Sequence, residues 1–254
     1  MRSDYPADVS RFLQAFANHA KKLIREDPGD RNADIDHRVA EQIFAPWEHD
    51  QQKSKETKQI TFLRDYFNCF WEAVLACDHL ETIRGLIQST VPTAAPDRRT
   101  RIIIFWSEAY LNEMYIFQLR LLDFLMASER RYKNDPDFAA PMREICTGLR
   151  AQVQKALEPL IKIRGTHVHS GRLRHSDPQL VRLSHLELFV DDLGITDLSN
   201  EYEKAATEAQ EWLIQQTDYF TTLAWTLLDS TCHVLAEGII TENGWLIVPT
   251  NYKD

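Results

Sequence analysis

Glycine and proline are scarce, with 8 and 10 in 254 residues, and no low-complexity tract, internal repeat or linker divides the chain. Such a composition excludes fibrous and disordered classes and fits one packed globular chain. Only four cysteines occur, Cys69, Cys77, Cys146 and Cys232. They are far apart and lie in apolar helical patterns, so a disulfide scaffold and a cysteine metal site are both excluded, and small buried hydrophobes in a reducing compartment are expected. No run of about 18 uncharged apolar residues is present, and the Met1-Arg-Ser-Asp-Tyr5 start lacks the apolar stretch of a signal peptide. A soluble, cytoplasmic protein with no membrane partner is expected. A Gly-rich phosphate loop, a Gly-x-Ser-x-Gly elbow, His-Glu-x-x-His and Cys-x-x-Cys are all missing, which argues against nucleotide-dependent and zinc-protease chemistry.

Positive charge is also in short supply. The formal net charge is −9, and an acidic surface does not release counterions broadly along a nucleic acid. The one reversal is local. Residues 161–175 hold Lys162, Arg164, Arg172, Arg174 and the histidines His167, His169 and His175. Between 162 and 182, with Arg182 included, Asp177 is the single acid.

Hydrophobic residues make up 44% of the chain, and they recur at helical spacing almost throughout, which predicts an all-α protein. A first amphipathic helix carries Val9, Phe12, Leu13, Phe16, Ala20 and Leu23 and stops at Asp27-Pro-Gly-Asp30. A short helix is expected near 34–44. Residues 55–89 read as one long helix or two stacked ones. Residues 100–133 are apolar almost all round, which predicts a helix in the middle of a bundle. There Glu108, Glu113, Arg120 and Asp123 are candidates for paired, partly buried charges. A further helix spans 138–158, where Pro159 is expected to end or kink it, and another spans 197–235. Asn243-Gly244 between two β-favouring runs predicts a small C-terminal hairpin or extended arm over 238–250. The expected fold is thus a single domain: an N-terminal helical extension over 1–50, a core bundle of about four long helices over 55–235, and the C-terminal arm.

Chemistry concentrates in the basic segment. Arg offers a bidentate clamp for phosphate, and His moves protons near neutral pH, so Arg164 with His169 are the minimal parts of a metal-independent phosphodiesterase site. In an unbroken helix five steps rotate about 500°, so the two would diverge by roughly 140° and lie about 7.5 Å apart along the axis. Gly165 and the β-branched Thr166 make a departure from helix expected, letting them converge. If the helix continues, His167, three residues on, is the alternative partner. Two plainer readings stand beside this one. The segment reads equally as a solvated connection whose cations cap a helix C-terminus. It also reads, more weakly, as a zinc site built on His167 and His169 with His175 or His185, although no acidic or cysteine partner stands at matching spacing. No metal and no cofactor is expected.

Arg164-Gly-Thr-His-Val-His169 on a helical bundle resembles the Arg-x(4–6)-His signature of HEPN domains, over about residues 55–235. The resemblance implies a homodimer in which two motifs face one cleft. It also implies either a metal-independent endoribonuclease or a non-catalytic RNA-binding or protein-interaction module of the same fold. In the first case Arg164 steadies the scissile phosphate and His169, or alternatively His167, is the acid or base. Lys162, Arg172, Arg174 and His175 are the candidate phosphate and RNA contacts. Asn112 and Glu113 are candidates to orient the motif residues. The remaining histidines, His19, His37, His49, His79 and His233, carry no expected function, and His233 is expected in the core.

Overall fold

Long helices dominate because little in the sequence stops them. A computed structural model describes residues 5–26, 57–94, 98–170, 177–192 and 198–253, with side chains at all of these except 24–26, 163–170 and 191–192. The helices are α1 (Ala7–Glu26), α2 (Lys58–Thr90), α3 (Arg99–Tyr132), α4 (Ala139–Ser170), α5 (Pro178–Glu187) and α6 (Ser199–Ile239). A π-helical turn, Leu188–Asp192, follows α5, and a 3-10 turn, Thr250–Tyr252, lies near the C-terminus. The protein is all-α. The short helix expected near 34–44 lies outside the described residues.

Two compact units emerge from the contacts. The first comprises Met1–Ala73, Arg120–Gln152 and Thr226–Asp254; the second comprises Val74–Leu119 and Val153–Trp225. In the first unit, Phe12 and Phe16 of α1 meet Tyr66 and Phe70 of α2 and Phe124 of α3, and all five rings are buried. Centroids stand 5.5 Å apart for Phe12–Phe70, 5.5 Å for Phe16–Tyr66 and 5.7 Å for Tyr66–Phe124. The Tyr66 hydroxyl is satisfied by Ser128 at 2.9 Å. The first turn of α1 needs acceptors for its unpaired N–H groups. A distant helix supplies one: Asp229 Oδ1 accepts from Asp8 N at 2.8 Å and Val9 N at 3.0 Å.

The second unit packs parts of α2, α3, α4 and α6 with α5. Tyr110 OH donates to the Thr217 carbonyl at 3.0 Å and lies 2.9 Å from the Thr221 hydroxyl. On the unit's surface, Asp218 accepts from Gln88 at 3.0 Å and pairs with Arg84 at 3.3 Å. Asp177 caps α5, accepting from Gln179 N and Leu180 N, with Pro178 in the first turn where its missing N–H costs nothing. Leu180 and Leu183 then point into the unit's core.

Four expectations need correction. First, α4 does not end at Pro159; it runs on through Gly165 to Ser170. Pro159 and Lys155 are both exposed while Val153, Leu157 and Leu160 are buried. The carbonyl freed at Lys155 therefore faces water, and the buried face stays unbroken. A glycine costs only about 1 kcal/mol in a helix interior, too little to stop one. Second, α3 is not buried all round. Ile103, Tyr110, Met114, Phe117, Leu121 and Phe124 form a buried seam, whereas Phe105, Ile116, Leu119 and Met126 are exposed. Ser107 and Ser128 share the seam at no cost, because each hydroxyl returns its hydrogen to the carbonyl four residues back.

Third, the C-terminal hairpin reduces to one antiparallel bridge, Ile240 with Leu246, and no strand occurs among the described residues. The turn itself forms: Gly244 takes φ 73°, and Thr241 N donates to Trp245 O at 2.8 Å. The arms share one more backbone bond, Ile247 N to Ile239 O at 2.8 Å, and pairing goes no further because α6 runs on to Ile239. The second arm is also held from outside, with Tyr132 OH donating to the Ile247 carbonyl at 2.7 Å and Thr250 N to Asp135 Oδ2 at 2.9 Å. Fourth, His233 is on the surface, its side chain 59% exposed and 3.2 Å from Asp8.

Candidate functional site

The basic segment begins on the last turns of α4. Leu157 and Leu160 anchor this part of the helix in the core. Lys162 is exposed, and its ammonium lies 2.7 Å from Glu158, one turn earlier. The hydrogen bond and charge of Lys162 hold the Glu158 carboxyl below the usual carboxylate range. Lys162 therefore brings its own counterion, which lowers the positive field it offers a phosphate. At the far end of the stretch Arg182 is taken up by two acids of α6, Glu208 at 2.9 Å and Glu201 at 3.4 Å. Sequence reasoning missed all three acids as partners. Glu158 was legible from its i, i+4 spacing to Lys162, whereas Glu201 and Glu208 are brought in only by tertiary packing.

The backbone is helical through positions 164, 167 and 169. On a continuous helix positions 164 and 167 are about 60° apart around the axis, while 169 is turned about 140° from 164. Helical continuity thus sets 167 on the face of 164 and separates 169 from it. Arg172, Arg174 and His175 lie outside the described residues.

Of the two candidates on α3, Asn112 is exposed and Glu113 half-buried. Glu113 Oε1 stands 3.2 Å from Nδ1 of His79 on α2. Arg120, expected on the same face as Glu113, pairs instead with Glu72 of α2 at 3.4 Å. Both contacts follow from the antiparallel run of α2 against α3, which sets position 79 opposite 113 and 72 opposite 120. His79 is a partner that the sequence alone did not reveal.

No family of known proteins, no curated protein and no solved structure matches the chain. Among the described residues no helix is long and apolar enough to cross a membrane, and no group of three or more His, Cys, Asp or Glu is arranged to hold a metal ion. What the segment offers chemically is a guanidinium position and two imidazole positions within two helical turns, at the end of α4.

Proposed function

We propose that this is a HEPN-like RNA-binding protein that cleaves RNA without a metal, at a cleft formed by two copies. The observation that carries the reading is the concentration of Arg164, His167 and His169 within six residues at the end of α4, in a chain whose net charge is −9. Arg164 holds the scissile phosphate through charge-assisted hydrogen bonds that strengthen as negative charge grows in the transition state. His169 exchanges protons with the ribose 2′-hydroxyl or the leaving oxygen. Because positions 164 and 169 diverge on one helix, the pair that acts is Arg164 of one motif with His169 of the facing motif. His167 is the alternative, for it shares the face of Arg164 within a single chain. Lys162, Arg172, Arg174 and His175 extend the contact along the RNA backbone.

Single-turnover cleavage of RNA in EDTA tests this. His169→Ala is expected to abolish turnover with binding largely intact, and Arg164→Ala to weaken both. A lethal His167→Ala beside a silent His169→Ala transfers the role to His167. The rate is expected to pass through an optimum near neutral pH, where imidazole changes charge.

A second reading, a non-catalytic helical interaction module of the same fold, is favoured by the apolar side chains that α3 presents to solvent. Absence of cleavage in every variant, with unaltered RNA affinity, selects it.

A further inference from the structure

The exposed side of α3 carries an ordered pattern. Arg101, Phe105, Asn112, Leu119 and Asp123 are all exposed, Phe105 at 61% and Leu119 at 42%. At about 100° per residue the five fall within an arc of roughly 40° on one continuous helix. Read along the chain, the stripe runs cation, apolar, amide, apolar, anion. Its order is symmetric about Asn112: Phe105 and Leu119 lie one heptad to either side, and Arg101 and Asp123 one turn beyond.

We propose that this stripe is a self-docking surface, in which α3 packs antiparallel against α3 of a second copy about a two-fold axis at Asn112. Such an axis sends each residue to the one equally far on the other side of 112. Arg101 then faces the partner's Asp123, Phe105 faces the partner's Leu119, and Asn112 faces the partner's Asn112. Every position meets its complement, as an isologous interface requires. The charges match at both ends, and the apolar layers match inside them. The two central amides, each both donor and acceptor, satisfy one another, as a single buried Asn does when it fixes helix register. A one-turn slip would set Phe105 against Asp123 and leave the cations unpaired, so the same residues disfavour other registers.

The paired region is about 33 Å long, and one helix pair falls at the small end of specific interfaces, below about 1,200 Å² in total. The dimer is accordingly a dissociating one in the micromolar range. This inference is independent of the RNA reading, because a dimer through α3 with no cleavage leaves it intact.

Sedimentation velocity of the full chain over a micromolar dilution series tests it. The expected result is reversible self-association through α3 that Leu119→Glu removes, whereas any two-copy contact at the α4 motif persists in Leu119→Glu. Arg101→Asp and Asp123→Arg are each expected to weaken self-association roughly tenfold, since each sets like charges together at both ends. The two variants mixed in equal amounts are expected to associate as the unaltered chain does, because each restores the other's complement. These positions are on the surface, so native circular dichroism in every variant confirms that the fold is not what changed. A chain that stays monomeric throughout overturns the proposal and leaves the stripe to a different protein. A dimer indifferent to the charge reversals, or a mixture that fails to recover, overturns it as well.

Discussion

Both units bury rings, the second Tyr110, Phe117 and Tyr202, but the second leaves more of its rings in solvent. In the first, Phe12, Phe16, Phe62, Tyr66, Phe70, Phe124 and Tyr132 are buried and in contact with one another. In the second, Phe105 and Tyr219 are 61% and 62% exposed, and Trp106, Trp212, Phe220 and Trp225 are half-buried. Both regions come from the same kind of sequence, long helices dense in apolar residues. The difference lies in what covers the rings. Where α1 lies against α2 and α3, rings of all three helices close on one another. Phe105 and Tyr219 have no such cover, and α3 there buries one seam. An aromatic-rich helix therefore fixes how much surface can be buried, and its neighbours decide how much is.

Substitutions sharpen this contrast. The largest effect is expected at Phe124, whose ring meets Phe12, Tyr66 and Phe70. Phe124→Ala should cost about 3–5 kcal/mol in denaturant unfolding, and a loss under about 1 kcal/mol would mean the aromatic cluster is not a tight core. Phe117→Ala, on the buried seam within the second unit, should cost a similar amount, showing that its seam is as well packed as the first unit's despite the rings outside.

Next comes Asp135. Burial opposes ionisation of its carboxyl, but the N–H groups of Thr250 and Asp137 that donate to it outweigh burial and hold it below its ordinary value of 3.8. Asp135→Ala should cost about 1–3 kcal/mol, because two N–H groups lose their acceptor. A carboxyl lowered on folding stabilises fully above its unfolded value and ceases to as pH falls through the folded one. The difference between the unaltered chain and Asp135→Asn should accordingly shrink as pH drops below about 3.8. A difference that stays constant to pH 2 would remove this account.

Smaller still is Tyr110→Phe, which deletes the hydroxyl shared by Thr217 and Thr221 and should lower stability by about 1 kcal/mol. Smallest is Phe105→Ala, expected to shift monomer stability by less than about 0.5 kcal/mol. A cost near that of Phe124→Ala would show that the second unit's outer rings are covered after all.

Much of the fold was legible because apolar periodicity survives wherever a helix has a buried face. The breaker Asp27-Pro-Gly-Asp30 follows the end of α1, and the 100–133 pattern falls on α3 almost to the residue. The failures share a cause. Pro159 is a local breaker whose cost is set by which side of the helix it occupies, and that side is known only once α4 is packed, while Gly165 alone costs too little to stop a helix. The Asn243-Gly244 turn formed as its residues demand, yet its pairing stops after Ile247 N–Ile239 O because the residues before it belong to α6. α5 was missed although Asp177-Pro178 is a helix-start signal, because its ten residues are too few for periodicity to register. The basic segment itself was plain in the sequence. Its counterions Glu201 and Glu208 were not, since nothing local joins them to Arg182.

The cap that Asp229 places on α1 has a bearing on synthesis. The acceptor lies 221 residues downstream of the Asp8 amide it satisfies. During translation α1 can lay Phe12 and Phe16 on α2 and α3 once those helices are made, but its leading N–H groups stay in water until α6 supplies Asp229. The second unit draws on nothing beyond Trp225. Vectorial synthesis therefore completes the parts list of the outward-facing unit before that of the aromatic one. The aromatic unit is thus the last to be completed, and until Asp229 arrives its N-terminal helix lacks that acceptor, an interval in which a holding chaperone has something to protect.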